Sequence, residues 1–265
     1  MKDFNKYYDY IQDEETRLLV RKVVDKAKLV SKNYVNYASD FINDNVLNYC
    51  LPLINNEDIS YKLFPTYEHS ERKSLILFPD YISEDDVDAK EYFTAYRLYN
   101  KSKFKDLDHN NYLGSLMSLG IDRSKIGDIY VHDEFADIIC NSDISDVIIY
   151  NLDKVGNNKI DIKQIELEDI SYKESDHENI IINVTSLRLD NVVKSLINKS
   201  RDICNDLISS GNVKINFEVV KKPTFIVSEK DLISIRRFGR FMIEKEIGST
   251  KSGKIKLDIK HYIRK

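Results

Sequence analysis

SLRLDNVVKSLINKSRDICNDLISSGNVKINFEVVKKPTFIVSEKDLISIRRFGR, residues 186–240, is the stretch from which the rest of the chain is read. Leu189, Val192, Val193, Leu196 and Ile197 recur at the i, i+3, i+4, i+7, i+8 spacing that lines one helical face. Ser200 is placed to cap a second helix, with Asp202 near the positive end of its dipole and Ile203, Cys204, Leu207 and Ile208 as its buried stripe. Gly211 supplies the cheap positive φ on which helices often close. Beyond it, Val213, Ile215 and Phe217 alternate with Lys214 and Asn216, as in a short strand with one wet face. Two small helices and a few strands are predicted, with Arg188, Lys194, Lys199, Arg201 and Lys214 on the solvated side.

The run RLD, then SR, then LI-x-x-G-x-V-K-x-N resembles the RNA-binding module of small-subunit ribosomal protein S-four, which implies RNA binding but no reaction. Charge points the same way. Residues 185–265 hold 18 Lys plus Arg against 9 Asp plus Glu, and the remainder holds 22 against 35, so a net charge of −4 conceals a basic end on an acidic chain. A polyanion would be drawn to that end and repelled by most of the rest.

The 265 residues suffice for two or three domains, with 42% hydrophobic and 32% charged residues as in globular proteins. No apolar run approaches a membrane span, and the start MKDFNKYYDY lacks the order of a signal peptide, so a cytoplasmic protein is expected. Cys50, Cys140 and Cys204 are far apart, without a C-x-x-C pair, and read as buried thiols rather than disulfide or zinc ligands. There is no G-x-G-x-x-G, Walker loop or H-E-x-x-H. No cofactor, metal or catalytic residue is expected.

Upstream, residues 1–72 read as mainly helical, with helices over 14–32 (Leu18, Leu19, Val23, Val24 and Ala27 inward) and 40–51, the latter stopping before Pro52. Segments 61–67 and 75–78 could be strands, and Arg72 and Lys73 between them could touch nucleic acid or belong to a solvated turn. Residues 73–170 give strand 92–99, helix 110–119, strands 126–131 and 135–140, helix 145–155 and strand 159–165. This β-α-β-β-α-β order is the ferredoxin-like plan that RNA-recognition domains share, although no aromatic RNP pattern lies on the central strands. Residues 171–184 read as a linker or edge strand, and 185–265 as the S-four-type domain, ending in a strand with a basic outer face. The fold class is α+β.

A second resemblance covers most of the chain. The segment FKDLDHNNYLGSLMSLGIDRSKIGDI, Glu71-Arg72-Lys73 upstream, and VTSLRLD and FGR downstream are similar in kind and order to the YlmH family of bacterial RNA-binding proteins. The resemblance implies a non-enzymatic protein on the large ribosomal subunit, bound to ribosomal RNA and peptidyl-tRNA. Its implied role is quality control of stalled nascent chains, with a link to cell division. Arg237 stands where that family commonly has Gly, and Phe217 where it commonly has Trp.

The expected RNA-binding residues are Arg188, Lys194, Lys199, Arg201 and Lys214 on phosphates, with Lys221, Lys222, Arg236, Arg237 and Arg240 on the same basic face. Asn216 is expected to read a base edge or a 2′-hydroxyl. The alternative is an RNA-modifying enzyme, because RLD also occurs in pseudouridine synthases, where the Asp attacks; Asp190 would be that residue. A third reading is an adaptor whose acidic N-terminal part binds a cell-division or translation partner. His109 and His132 read as loop or cap residues, and Glu84, Asp85, Asp86 and Asp88 as a solvated turn.

Overall fold

The structure, a computed structural model, describes residues 5–11, 13–55, 58–67, 70–102, 106–173 and 176–263, and divides into two units, 1–174 and 175–265. Residues 104–105 of the quoted motif and 174–175 of the expected linker or edge strand lie outside the described residues.

In the first unit, α1 (Asn5–Tyr8) precedes α2 (Glu14–Asn33). Asp13 caps α2 by accepting the Thr16 amide at 2.8 Å. The buried line is Thr16, Val20, Val23, Val24, Ala27 and Val30. Leu18, expected inside, falls off that line and is exposed. After β1 (Tyr37–Ala38), α3 (Asp44–Ile54) starts later than expected, because Asn43 accepts the Val46 amide, and it runs through Pro52. A proline so near the end forfeits one helical hydrogen bond, which the burial of Leu53 and Ile54 offsets.

Residues 1–72 are not simply helical. Strands β2 (Ile59–Phe64) and β3 (Ser74–Pro79) join β1 in a sheet ordered β1-β3-β2, so the expected break at 72/73 cuts this layer. Every residue of β3 is buried. Leu75 and Leu77 pack with α2 and α3, while Ile76 and Phe78 face the other way, onto Phe41, Phe93, Ala95 and Ile139. A strand apolar on both faces must be covered on both.

The next layer is β4 (Phe93–Asn100), α4 (His109–Ser118), β5 (Ile126–Val131), β6 (Phe135–Asn141), α5 (Ser145–Asn151), β7 (Lys154–Val155) and β8 (Asn158–Ile165). The order β5-β6-β4-β8-β7, antiparallel throughout, is the predicted split β-α-β arrangement. Asp108 and Asn111 form a capping box at the start of α4, which gives the Asp108–His109 pair a structural role. His132 stacks on Phe135 at 4.5 Å, and its Nε2 lies 2.8 Å from the Ser171 carbonyl oxygen. Glu84–Asp86 and Ala89–Glu91 are 3-10 turns, and among the described residues no His, Cys, Asp and Glu cluster could hold a metal.

The two most distinctive upstream motifs meet in one node. Arg72 donates to the carbonyl oxygens of Ile126 (3.1 Å) and Phe41 (2.6 Å), and Arg123 donates to those of Ile126 and Gly127. Asp128 accepts the Glu71 amide at 3.0 Å, and burial raises its carboxyl to about 6. A Cβ on Gly127 would lie 2.9 Å from the Phe41 ring. Lys73 pairs with Asp44 at 2.8 Å. Arg72 therefore ties the N-terminal layer to the ferredoxin-like sheet, while Lys73 pairs within the N-terminal layer, so Arg72 is part of the fold rather than a cation of a solvated turn.

In the second unit, β9 (His177–Val184) leads into α6 (Leu189–Ile197) and α7 (Arg201–Ser209). Then follow β10 (Val213–Ile215), β11 (Glu218–Val219), β12 (Leu232–Ile235), β13 (Gly239–Ser249) and β14 (Ile255–Tyr262). They form one antiparallel sheet, β11-β10-β12-β13-β14-β9, with α6 and α7 packed on one face. Of the two readings of 171–184, the structure gives the edge strand over 177–184: β9 pairs with β14 along its whole length, and Ile182 and Val184 enter the core. The three cysteines are buried thiols, and among the described residues no helix is long and apolar enough to cross a membrane.

Candidate nucleic-acid interface

The RLD and SR motifs come together through one buried carboxylate. Asp190, 1% exposed, accepts from Arg188 Nε (3.1 Å) and Nη2 (2.9 Å) and from Arg201 Nη2 (2.8 Å). The Arg188 hydrogen bonds, helped by those of Arg201, hold the Asp190 carboxyl down at about 2 and raise the Arg188 guanidinium. Helix geometry makes this possible. Arg188 is the residue before α6, Ser200 caps α7 by accepting the Ile203 amide, and Asn198 turns the chain between them at φ 49°. Each guanidinium carries five N–H donors, and Asp190 engages two of Arg188 and one of Arg201. Both cations are thus oriented at the half-exposed to exposed surface, where planar bidentate donors suit phosphate oxygens.

Segment 220–228 is a strap across the start of α6. Leu189 and Asp190 donate their amides to the carbonyls of Phe225 (2.8 Å) and Pro223 (3.1 Å), and Val227 donates to Leu187 (2.9 Å). The strap satisfies amides that a helix N-terminus leaves open, and carries exposed Lys221, Lys222, Phe225 and Ile226. Lys221 runs past Gly211, whose φ of +76° closes α7. Arg236 reaches the same corner, its Nη1 lying 3.5 Å from Asn212 Oδ1. Lys194 and Lys199 are exposed, on α6 and in the α6–α7 turn.

Several expectations change. Ile203 is 46% exposed rather than buried. Phe217 is not on a strand: Asn216 and Phe217, at φ 49° and 71°, form the two-residue turn joining β10 to β11. The Asn216 amide is engaged within the fold, its Nδ2 donating to Asp231 at 2.7 Å and its Oδ1 accepting from Leu232 N at 2.9 Å, so a role reading bases is not what its geometry favours. The cations do not share one face. Alternation along β10 and β13 turns Lys214 and Arg240 away from the helices, because Val213, Ile215, Phe241 and Ile243 occupy the core side. Asp190, the would-be nucleophile, is enclosed by its two arginines.

Arg237 sits at φ 70°, the left-handed region that glycine adopts without a Cβ penalty. Arg237→Gly is expected to stabilise the fold by up to about 1 kcal/mol, since the left-handed penalty of roughly 1–2 kcal/mol is partly cancelled by glycine's freer unfolded chain. The same change should weaken RNA binding a few-fold. Denaturant melts and RNA titrations of the one variant check both directions.

A helix pair with a buried Asp, oriented arginines and a basic strap in one unit, and a ferredoxin-like layer in the other, define a two-part chain of RNA-binding type. The family model "S4 domain" matches residues 187–233, and "Putative RNA-binding domain in YlmH" matches residues 91–169. The chain belongs to the YlmH family. It is 31% identical over 247 residues to ribosome-associated protein quality control protein P2 of Bacillus subtilis (strain 168), a match spanning 93% of this chain and 95% of that protein. Among solved structures, the cell division protein ylmH from Streptococcus pneumoniae is 22% identical, with a TM-score of 0.49 over 60% of this chain and 96% of that one.

Proposed function

We propose that this chain is a non-catalytic RNA-binding factor of ribosome-associated quality control. It docks on ribosomal RNA and tRNA of the large ribosomal subunit while a stalled nascent chain is still attached as peptidyl-tRNA, in the cytoplasm. The observation that carries the reading is Asp190 holding Arg188 and Arg201 side by side, next to the Lys221–Lys222 strap. Such a surface binds phosphates in fixed register without offering a reactive group. The named role of the Bacillus relative supports the ribosomal setting. The alternative, an RNA-modifying enzyme, would need Asp190 to reach a nucleotide, and its burial argues against that.

The test is Arg188→Gln with Arg201→Gln in the full chain. Loss of ribosome co-sedimentation and at least a tenfold weaker affinity for ribosomal RNA hairpins are expected, with RNA nucleosides unaltered by either protein. Undiminished co-sedimentation of the double variant overturns the docking surface, and a modified nucleoside produced by the wild type overturns the non-catalytic reading.

A further inference from the structure

We propose that the face of the C-terminal sheet turned away from α6 and α7 is a second RNA contact, one that takes single-stranded nucleotides. This rests on the reading of the chain as an RNA-binding factor and adds a site on the opposite side of the same unit. The register lines up Lys214, Ser234, Arg240, Tyr262 and His177 as direct neighbours across β10, β12, β13, β14 and β9. At adjacent-strand spacings near 4.8 Å this row is about 19 Å long, the reach of a few nucleotides. At its centre the Arg240 guanidinium lies 5.2 Å from the Tyr262 ring centroid, and His177 meets that ring in a T-shaped contact at 6.2 Å. All of β13, β14 and β9 lies outside residues 187–233, so of this row the matched module accounts only for Lys214.

Charge calls for a polyanion, and the aromatic ring set among the cations favours a nucleic acid, whose bases can stack, over an acidic protein. On the same side as Lys214 and Arg240 lie Lys245, opposite Asp258, Lys256, opposite Gly248, and Lys260, opposite Met242. Glu244 is already engaged by Lys230 at 2.7 Å and Lys260 at 3.7 Å. A half-buried aromatic ring set among cations on a sheet face is the arrangement that stacks unpaired bases while neighbouring cations hold phosphates. Duplex RNA hides its base faces and cannot use the ring, so the strip selects unpaired strands.

The experiment uses the full chain, a fluorescent twelve-nucleotide oligouridine and a ribosomal RNA hairpin. Tyr262→Leu keeps an apolar strand residue and removes the ring. It should weaken oligouridine binding roughly 5- to 100-fold, the range for losing one stacked base, and leave hairpin affinity within about twofold. Arg188→Gln with Arg201→Gln should do the reverse, so failure of the helix-side docking surface and failure of this strip are read from different variants. Oligouridine affinity unchanged in a folded Tyr262→Leu protein overturns the proposal. Should that variant not fold, photocross-linking of wild-type protein to 4-thiouridine oligonucleotide decides. Adducts on peptides containing Tyr262, Arg240 or His177 support the strip, and adducts confined to residues 188–225 overturn it.

Discussion

Raising salt from 50 to 200 mM lowers the affinity of this chain for duplex-like RNA on the order of a thousandfold, if roughly six phosphates are neutralised. The argument is one of counterion release. Each phosphate contact frees condensed cations, so the logarithm of the affinity falls linearly with the logarithm of salt, at about −0.9 per contact. Arg188, Arg201, Lys194, Lys199, Lys221, Lys222 and Arg236 supply enough exposed or half-exposed cations on and around the helix pair to fill that number. Half the side of the ledger is electrostatic repulsion: the chain outside residues 185–265 holds 35 acidic against 22 basic residues, so little non-specific affinity is expected elsewhere. A fluorescence titration at four salt concentrations gives the slope. A flat line would mean that the cations described above do not face phosphates at all.

Asp137→Ala should be the most destabilising single change in the ferredoxin-like layer, costing about 3–5 kcal/mol. Asp137 is fully buried. It accepts from Arg97 Nε at 2.8 Å and Nη2 at 2.7 Å, and from the Ser171 amide at 2.7 Å. Arg97 also lies 4.3 Å over the Phe135 ring, donates to the Asp169 carbonyl, and has its guanidinium proton held more tightly by the Asp137 hydrogen bonds. Truncating the carboxylate leaves a guanidinium with 19% of its side chain exposed and a backbone amide without their acceptor. Replacing both partners, Asp137→Leu with Arg97→Leu, should cost less than the single truncation, because no unpaired charge remains. Denaturant melts of the three proteins measure the difference; equal losses in the single and double variants would mean the charge pair is not what the truncation removes.

Much of this was legible in order along the chain. The β-α-β-β-α-β succession and the two helices of the C-terminal unit were readable because apolar spacing and capping residues are local signals, as with Ser200, Gly211 and Asp108. What misled was anything decided across the chain. Leu18 fits a helical stripe equally well one position out of phase, and only the neighbouring β3 shows which line is buried. Segment 74–79 is a short apolar run whose partners, β1 and β2, lie upstream of the break that composition suggested. Arg72, Arg123 and Asp128 carry no local signal of their partners and prove to be the hydrogen-bonding centre between two layers.

The candidate site divides the same way. Its residue types and net charge could be counted without coordinates, since a charge total and a motif need no geometry. Their grouping could not. Strand alternation sends Lys214 and Arg240 to the face opposite Arg188 and Arg201, and a turn with two positive φ angles spends the Asn216 amide on Asp231 and Leu232. The sequence by itself determined that one end of this protein is a basic helix-and-strand module and that the rest is acidic and includes a ferredoxin-like layer, because periodicity and composition are properties of the chain. Only the tertiary structure decided which cations stand together, because register across a sheet and the burial of one aspartate are set by contacts between residues far apart in the sequence.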